Sequence, residues 1–206
     1  MAGPAYTRLD VDERRRRLLA IGAELFIHHS YDELSMAAVA REAGISKALL
    51  YHYFPSKQAF FEATLAETAA EILVRTSPDP SKPPLEQLSA SLDAYLEWIE
   101  EHADAYHKLL ESATGSPEVS GIIEGIRDQS AARVLDGLYP EGDPKPAVRS
   151  AVRGWLWFID GACLDWTTHG GSSRDELHGL LLGTLLGALT AAGMGDDLSA
   201  LLQSES

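Results

Sequence analysis

Residues Ser35–Lys57 read SMAAVAREAGISKALLYHYFPSK, and the local chemistry of this stretch decides the fold. Ser35 is placed to cap a helix, its hydroxyl accepting from the free N–H groups of the first turn. Leu34 before the cap and Val39 after it have the spacing of a hydrophobic staple. Ala40 and Ala43 are small residues on the inner side, where a second helix can approach closely. Gly44 follows, at the point where a left-handed residue must end the helix without a Cβ clash. Ser46 caps the next helix, Lys47 to Phe54, with Ile45 and Leu50 as its staple pair and Leu50 and Phe54 one turn apart on its buried side. Pro55 stops that helix and Ser56 caps another. Two short helices joined by a glycine turn, with a longer helix directly behind, are the outline of a helix-turn-helix DNA reader.

The side chains left outside carry the matching chemistry. Lys47 can donate to a guanine edge or a phosphate, and Ala48 is small enough for close approach. Leu49 offers only apolar contact, as with a thymine methyl. The hydroxyls of Tyr51 and Tyr53 suit phosphate oxygens, and His52 can meet a base or a phosphate. Lys57 adds a cation beside the N-terminal N–H groups of the following helix. With the capping residues Ser35 and Ser46, these side chains form the candidate DNA-binding set.

Ala40, the Glu42-Ala43-Gly44-Ile45-Ser46-Lys47 turn, Leu50-Tyr51, Tyr53-Phe54 and Pro55-Ser56-Lys57 resemble the tetracycline-repressor (TetR) family of bacterial transcription regulators. The resemblance is specific over about residues 13 to 65 and general beyond. It implies a homodimer, with an N-terminal DNA-binding domain and a helical C-terminal domain that binds a small effector and releases a palindromic operator. Leu49 stands where the family more often has a small or hydroxylated residue such as Thr.

Charge is distributed to suit that expectation. The chain has 206 residues and a formal net charge of −14, which taken whole disfavours nucleic acid. Residues 1–60, however, hold eight Lys/Arg against seven Asp/Glu, and the remainder nine against twenty-four. An acidic body with a locally basic end presents that end to DNA. The run Arg14 to Arg17 lies in a first helix marked by Leu18, Ile21, Gly22, Leu25 and Phe26, so its arginines either face solvent or flank the groove.

Apolar spacing and Pro/Gly punctuation predict an all-α chain. Helices are expected from Lys57 to about Arg75, over Leu85 to Ile99, from about Ala103 to Ser112, from Pro117 to near Leu138, from about Lys145 to Thr168, and from Ser173 to about Ala192. Ser173 and Glu176 form a capping box for the last. The expected division is a flexible arm over 1–12, a helix-turn-helix domain over 13–57, and an effector-binding and dimerisation domain over 58–206.

The last helix is apolar almost all round and reads as buried on more than one side, with a second copy of the chain as the natural neighbour. Trp166, Leu177, Leu181, Gly183, Leu185 and Gly187 are the expected interface residues. The uncharged stretch Gly179 to Gly195 falls short of the roughly 20 residues that span a membrane, so no membrane partner is expected. An effector pocket is expected from Tyr95, Trp98, His102 and Tyr106, with His107 nearby. Trp155, Phe158, Asp160 and Cys163 complete it from the preceding long helix, and Asp160 calls for a cationic partner from the ligand or the protein.

No catalytic or cofactor motif is present and His102 and His107 do not share a helix face, so no enzyme, cofactor or metal is expected. One cysteine, Cys163, excludes an internal disulfide, and the first residues lack the apolar core of a signal peptide. A cytoplasmic setting is expected.

Overall fold

A computed structural model of the chain describes residues 8–139, 142–196 and 198. Among these residues there are nine α-helices and no strand: α1 (Arg8–His28), α2 (Met36–Glu42), α3 (Lys47–Tyr53), α4 (Lys57–Arg75), α5 (Pro84–Glu101), α6 (Ala103–Gly115), α7 (Pro117–Leu138), α8 (Pro146–His169) and α9 (Arg174–Leu189). A five-residue π turn, Thr190–Met194, continues α9. The first helix begins at Arg8 and so takes in most of what was expected to be the end of a flexible arm; the earlier part of that arm lies outside the described residues.

Helix contacts divide the chain into two compact units. One contains the residues up to Ala70 together with Asp104–Ile122; the other contains Glu71–Ala103 and the chain from Ile123. The boundary expected after residue 57 is therefore displaced. The cause is the first half of α4, whose Phe60, Phe61 and Thr64 are buried in the first unit.

The core of that unit joins Leu18 and Leu19 of α1, Leu34, Met36, Val39 and Ala40 around α2, Leu50 and Phe54 of α3, and Phe60 of α4. Phe54 meets Phe60 edge-on with ring centroids 5.0 Å apart. Leu18, Leu34, Val39, Leu50 and Phe54 sit where the staple and helical spacings put them, with Leu19 and Met36 added by the packing, so the short helices gain from tertiary burial what their length denies them.

In the second unit α8 and α9 lie against each other. Val148, Val152, Trp155, Ile159 and Cys163 form the buried stripe of α8, and Leu177, Leu181, Leu185 and Leu189 that of α9. Trp155 Nε1 donates to the Leu181 carbonyl at 2.8 Å, which satisfies a buried indole N–H. Gly170 closes α8 at φ 66, and Ser173 with Glu176 makes the expected capping box: Glu176 N donates to Ser173 Oγ (3.2 Å) and Ser173 N to Glu176 Oε2 (2.7 Å).

Within one chain α9 is buried on one side, which leaves its other side for the neighbour expected from a second copy. Its leucines at four-residue spacing bury one face, and the opposite face, with Gly179, Leu180, Gly183 and Gly187, is open. With its π turn, the segment Arg174–Met194 is also long and apolar enough to cross a membrane by length and composition, at a mean hydropathy of 1.5. Core helices of soluble proteins can have the same composition, and Leu177, Leu181, Leu185 and Leu189 of this one are buried within the chain.

Candidate nucleic-acid interface

Hydrogen bonds fix the turn between α2 and α3. Ser35 Oγ accepts from Ala38 N at 3.2 Å, Ser46 Oγ from Leu49 N at 3.1 Å, and Ser56 Oγ from Ala59 N at 3.0 Å. Gly44 stands at φ 65, and behind it Ile45 N donates back to the Ala40 carbonyl at 3.0 Å. This wraps the end of α2 and turns the chain into α3. Leu50 and Phe54 then bury the inner side of α3 and leave the other side outward.

Lys47, Ala48, Tyr51 and His52 are exposed on that outer side, and Leu49 and Tyr53 are half-buried beside them. Tyr51, at 40 % exposure, carries the Lys47 ammonium 5.7 Å from its ring centroid. Tyr53 is shared: its ring lies 6.4 Å from Phe54 and 5.7 Å from His52. The hydroxyls of Ser35 and Ser46 are used as cap acceptors, and a hydroxyl that accepts still has its own hydrogen to donate.

Lys57 is not extended into solvent. Its Nζ donates to the Asp32 carbonyl oxygen at 3.4 Å and stands 4.4 Å from the centroid of the Tyr31 ring. Burial, and after it the negative charges of Glu118, Asp32 and Glu62, raise the Tyr31 hydroxyl above its ordinary value, so the ring stays a neutral phenol. Sequence reading did not single out Tyr31, because no local spacing links the loop before α2 to the start of α4. In the arginine run, Arg15 to Arg17 are exposed, and the Arg15 guanidinium lies 5.4 Å from the Phe54 ring centroid.

The residues expected to line an effector pocket are placed unequally. Trp155 and Cys163 are buried, and burial, followed by the charge of Asp160, pushes the Cys163 thiol up to about 12. Trp98 and His102 stack with ring centroids 4.6 Å apart, and His102 Nδ1 is 2.9 Å from the Trp98 carbonyl oxygen. Tyr95 is half-buried on the same helix. Asp160 has a protein partner: Arg127 Nε of α7 donates to its Oδ2 at 2.7 Å. The same guanidinium pairs with Glu124 and covers the Trp157 ring at 4.0 Å.

Two of the expected residues stand apart from the others. Phe158 is exposed, because it precedes Ile159 by one residue and so projects about 100° away from the buried stripe of α8. Tyr106, with His107, belongs to the first unit, whereas the other expected pocket residues belong to the second.

The residues expected at the interface divide between inward and outward positions. Leu177, Leu181 and Leu185 are buried against their own chain, with Leu181 at 0 % exposure, so they are not available to a second copy. Trp166 is half-buried, its Nε1 donating to the Ser172 carbonyl at 2.9 Å. Gly183 and Gly187 do face outward, and a Cβ built on either meets nothing within 4 Å. The apolar residues that share the outside of α8 and α9 are Trp157 (58 % exposed), Phe158 and Leu180 (53 % exposed). Among the described residues no group of three His, Cys, Asp or Glu side chains is placed to hold a metal ion.

An all-α chain with a capped, outward-facing second helix behind a glycine turn defines a helix-turn-helix DNA-binding protein. The family model for bacterial regulatory proteins of the tetR family matches residues 18–64, and that for a tetracyclin repressor-like C-terminal domain matches residues 84–187. The chain belongs to the tetracycline-repressor family of DNA-binding transcriptional regulators. It is 28 % identical over 132 residues to the HTH-type transcriptional activator FasR of Mycolicibacterium smegmatis, a match covering 63 % of this chain and 60 % of that protein. It is 26 % identical over 175 residues to the HTH-type transcriptional repressor KstR of Rhodococcus jostii, covering 82 % and 80 %. A tetR-family regulator from Streptomyces coelicolor superposes with a TM-score of 0.76 at 25 % identity, over 94 % of this chain and 88 % of that one. A regulator from Saccharomonospora viridis solved in complex with choline shares the fold at a TM-score of 0.63 and 17 % identity, over 82 % and 94 %.

Proposed function

We propose that the protein is a homodimeric repressor that leaves a palindromic operator when a small molecule binds its C-terminal helices. The observation that carries this reading is the exposed row Lys47, Ala48, Tyr51 and His52 on a helix whose other side is locked into a core. Two such helices related by a two-fold axis enter successive major grooves about 34 Å apart. Ser35, Ser46, Tyr51, Tyr53 and Lys57 then hold phosphates, whereas Lys47, Leu49 and His52 meet base edges. The open side of α8 and α9, with Trp157, Phe158, Leu180, Gly183 and Gly187, is the surface where two copies meet. The protein acts by binding rather than catalysis, and acts in the cytoplasm.

The choline complex of a protein with this fold supports a small-molecule ligand as the signal. Such a ligand acts only through different affinities for the DNA-competent and released states. A coupling of about 1–3 kcal/mol changes operator affinity about 5- to 150-fold. Electrophoretic mobility shift with a duplex selected from a random pool, read with and without candidate effectors, tests this. Equal binding at saturating effector by every compound that demonstrably binds the protein overturns the release mechanism. The similarity to an activator favours a second reading, in which the same interface recruits transcription. Deletion of the gene separates the two: target transcripts rise for a repressor and fall for an activator.

A further inference from the structure

The loop between α1 and α2 carries a side chain outside the proposed DNA-contact set that nevertheless governs a member of it. The Tyr31 ring face receives the Lys57 ammonium at 4.4 Å, and the same ammonium donates to the Asp32 carbonyl at 3.4 Å. An ammonium has three N–H donors, so a ring face and one carbonyl leave donating capacity for a phosphate oxygen. A lysine stem is long and flexible, and holding it in advance removes part of the ordering cost of the contact.

The ring is itself braced. It lies edge-on to Phe61 with centroids 4.9 Å apart, and Phe61 lies edge-on to Phe26 at 4.5 Å. The Tyr31 backbone N–H donates to Ser112 Oγ of α6 at 3.4 Å. Ser30 N and Ser30 Oγ each donate to Glu33 Oε2 at 2.9 Å, which closes the loop on itself. We propose that Tyr31 is a positioning residue for DNA binding, its braced ring holding the Lys57 ammonium where a phosphate arrives at the start of α4. This rests on the phosphate role of Lys57 proposed above.

The test is fluorescence anisotropy with a labelled random-sequence duplex, applied to the full chain and to Tyr31→Phe, Tyr31→Leu, Lys57→Ala and the double variant. Tyr31→Phe keeps the ring face and binds like the wild type. Tyr31→Leu loses affinity about two- to five-fold, the range of an exposed cation–π contact. In the Lys57→Ala background the same change has no further effect. Wild-type affinity in Tyr31→Leu overturns the proposal, as does a loss of the same size in both backgrounds, which would mark Tyr31 as packing only. An unaltered affinity in Lys57→Ala refutes the phosphate role and the positioning role with it; a weakened Lys57→Ala with additive losses refutes positioning alone. Should Tyr31→Leu lose its cooperative thermal transition, Tyr31→pentafluorophenylalanine keeps the shape and inverts the ring's charge distribution. It must show the same two- to five-fold loss, and wild-type affinity there overturns the proposal.

Discussion

Gly22 of α1 lies so close to Phe60 of α4 that a Cβ built on it would stand 2.6 Å from the Phe60 ring carbon Cζ. Thr64 Oγ1, 2.8 Å from the same point, closes the other side and is itself tied by donation to the Phe60 carbonyl at 2.9 Å. The glycine therefore sets how closely the first helix of the DNA-binding unit approaches the helix that leaves it. Gly22→Ala should cost about 1–3 kcal/mol of stability, because neither a fully buried ring nor a bonded hydroxyl can give way freely. Urea denaturation measures this directly, and an unchanged midpoint would show that the two helices separate without penalty.

Phosphate contact and base reading differ in their salt behaviour and their sequence behaviour. Lys57→Ala should weaken binding to all sequences and reduce the salt slope by about one phosphate. Lys47→Ala or His52→Ala should instead change the site recovered by selection from a random pool, with about 1–3 kcal/mol of discrimination at the affected base. Recovery of the wild-type site by both variants would show that neither side chain reads a base.

Adjacent leucines on α9 have opposite surroundings: Leu180 is 53 % exposed and Leu181 is fully buried. Leu180→Lys should leave the monomer fold intact, as read by its helical circular dichroism, and shift sedimentation toward a single copy. Leu181→Lys should instead abolish cooperative folding, since an unpaired charge then enters the core. A dimer that survives Leu180→Lys moves the meeting surface elsewhere.

The capping box at the start of α9 sets a pH dependence. Donation from the Ser173 backbone N–H, and secondarily its hydroxyl, lowers the Glu176 carboxyl below its ordinary value of 4.5. A carboxyl lowered in the folded state contributes stability that is fully present above the unfolded value of 4.5 and is lost as pH falls through the folded value. Glu176→Gln keeps an acceptor at the same place but cannot titrate. Its urea midpoint should lie below the wild type at neutral pH and approach it in acid as the wild-type carboxyl protonates; parallel acid profiles would remove the carboxyl from the account.

What the sequence determined by itself is the set of local structures. Ser35, Gly44, Ser46 and Ser56 act on backbone groups within a few residues of themselves, so the α2–α3 turn could be read without knowing what surrounds it. The helices marked by Pro, Gly and apolar spacing were legible for the same reason, as was the outward row on α3, because one staple and two buried residues fix its orientation. Only the tertiary structure decided which apolar side chains of α9 face their own chain. An almost wholly apolar helix has no polar stripe to orient it, and Leu177, Leu181 and Leu185 turned inward while Leu180 stayed outside. The partner of Asp160 was likewise open until the fold brought Arg127 to it from another helix. Tyr31 and Lys57 met for the same reason: contacts between residues distant in the chain are set by how helices pack, and no local spacing encodes them.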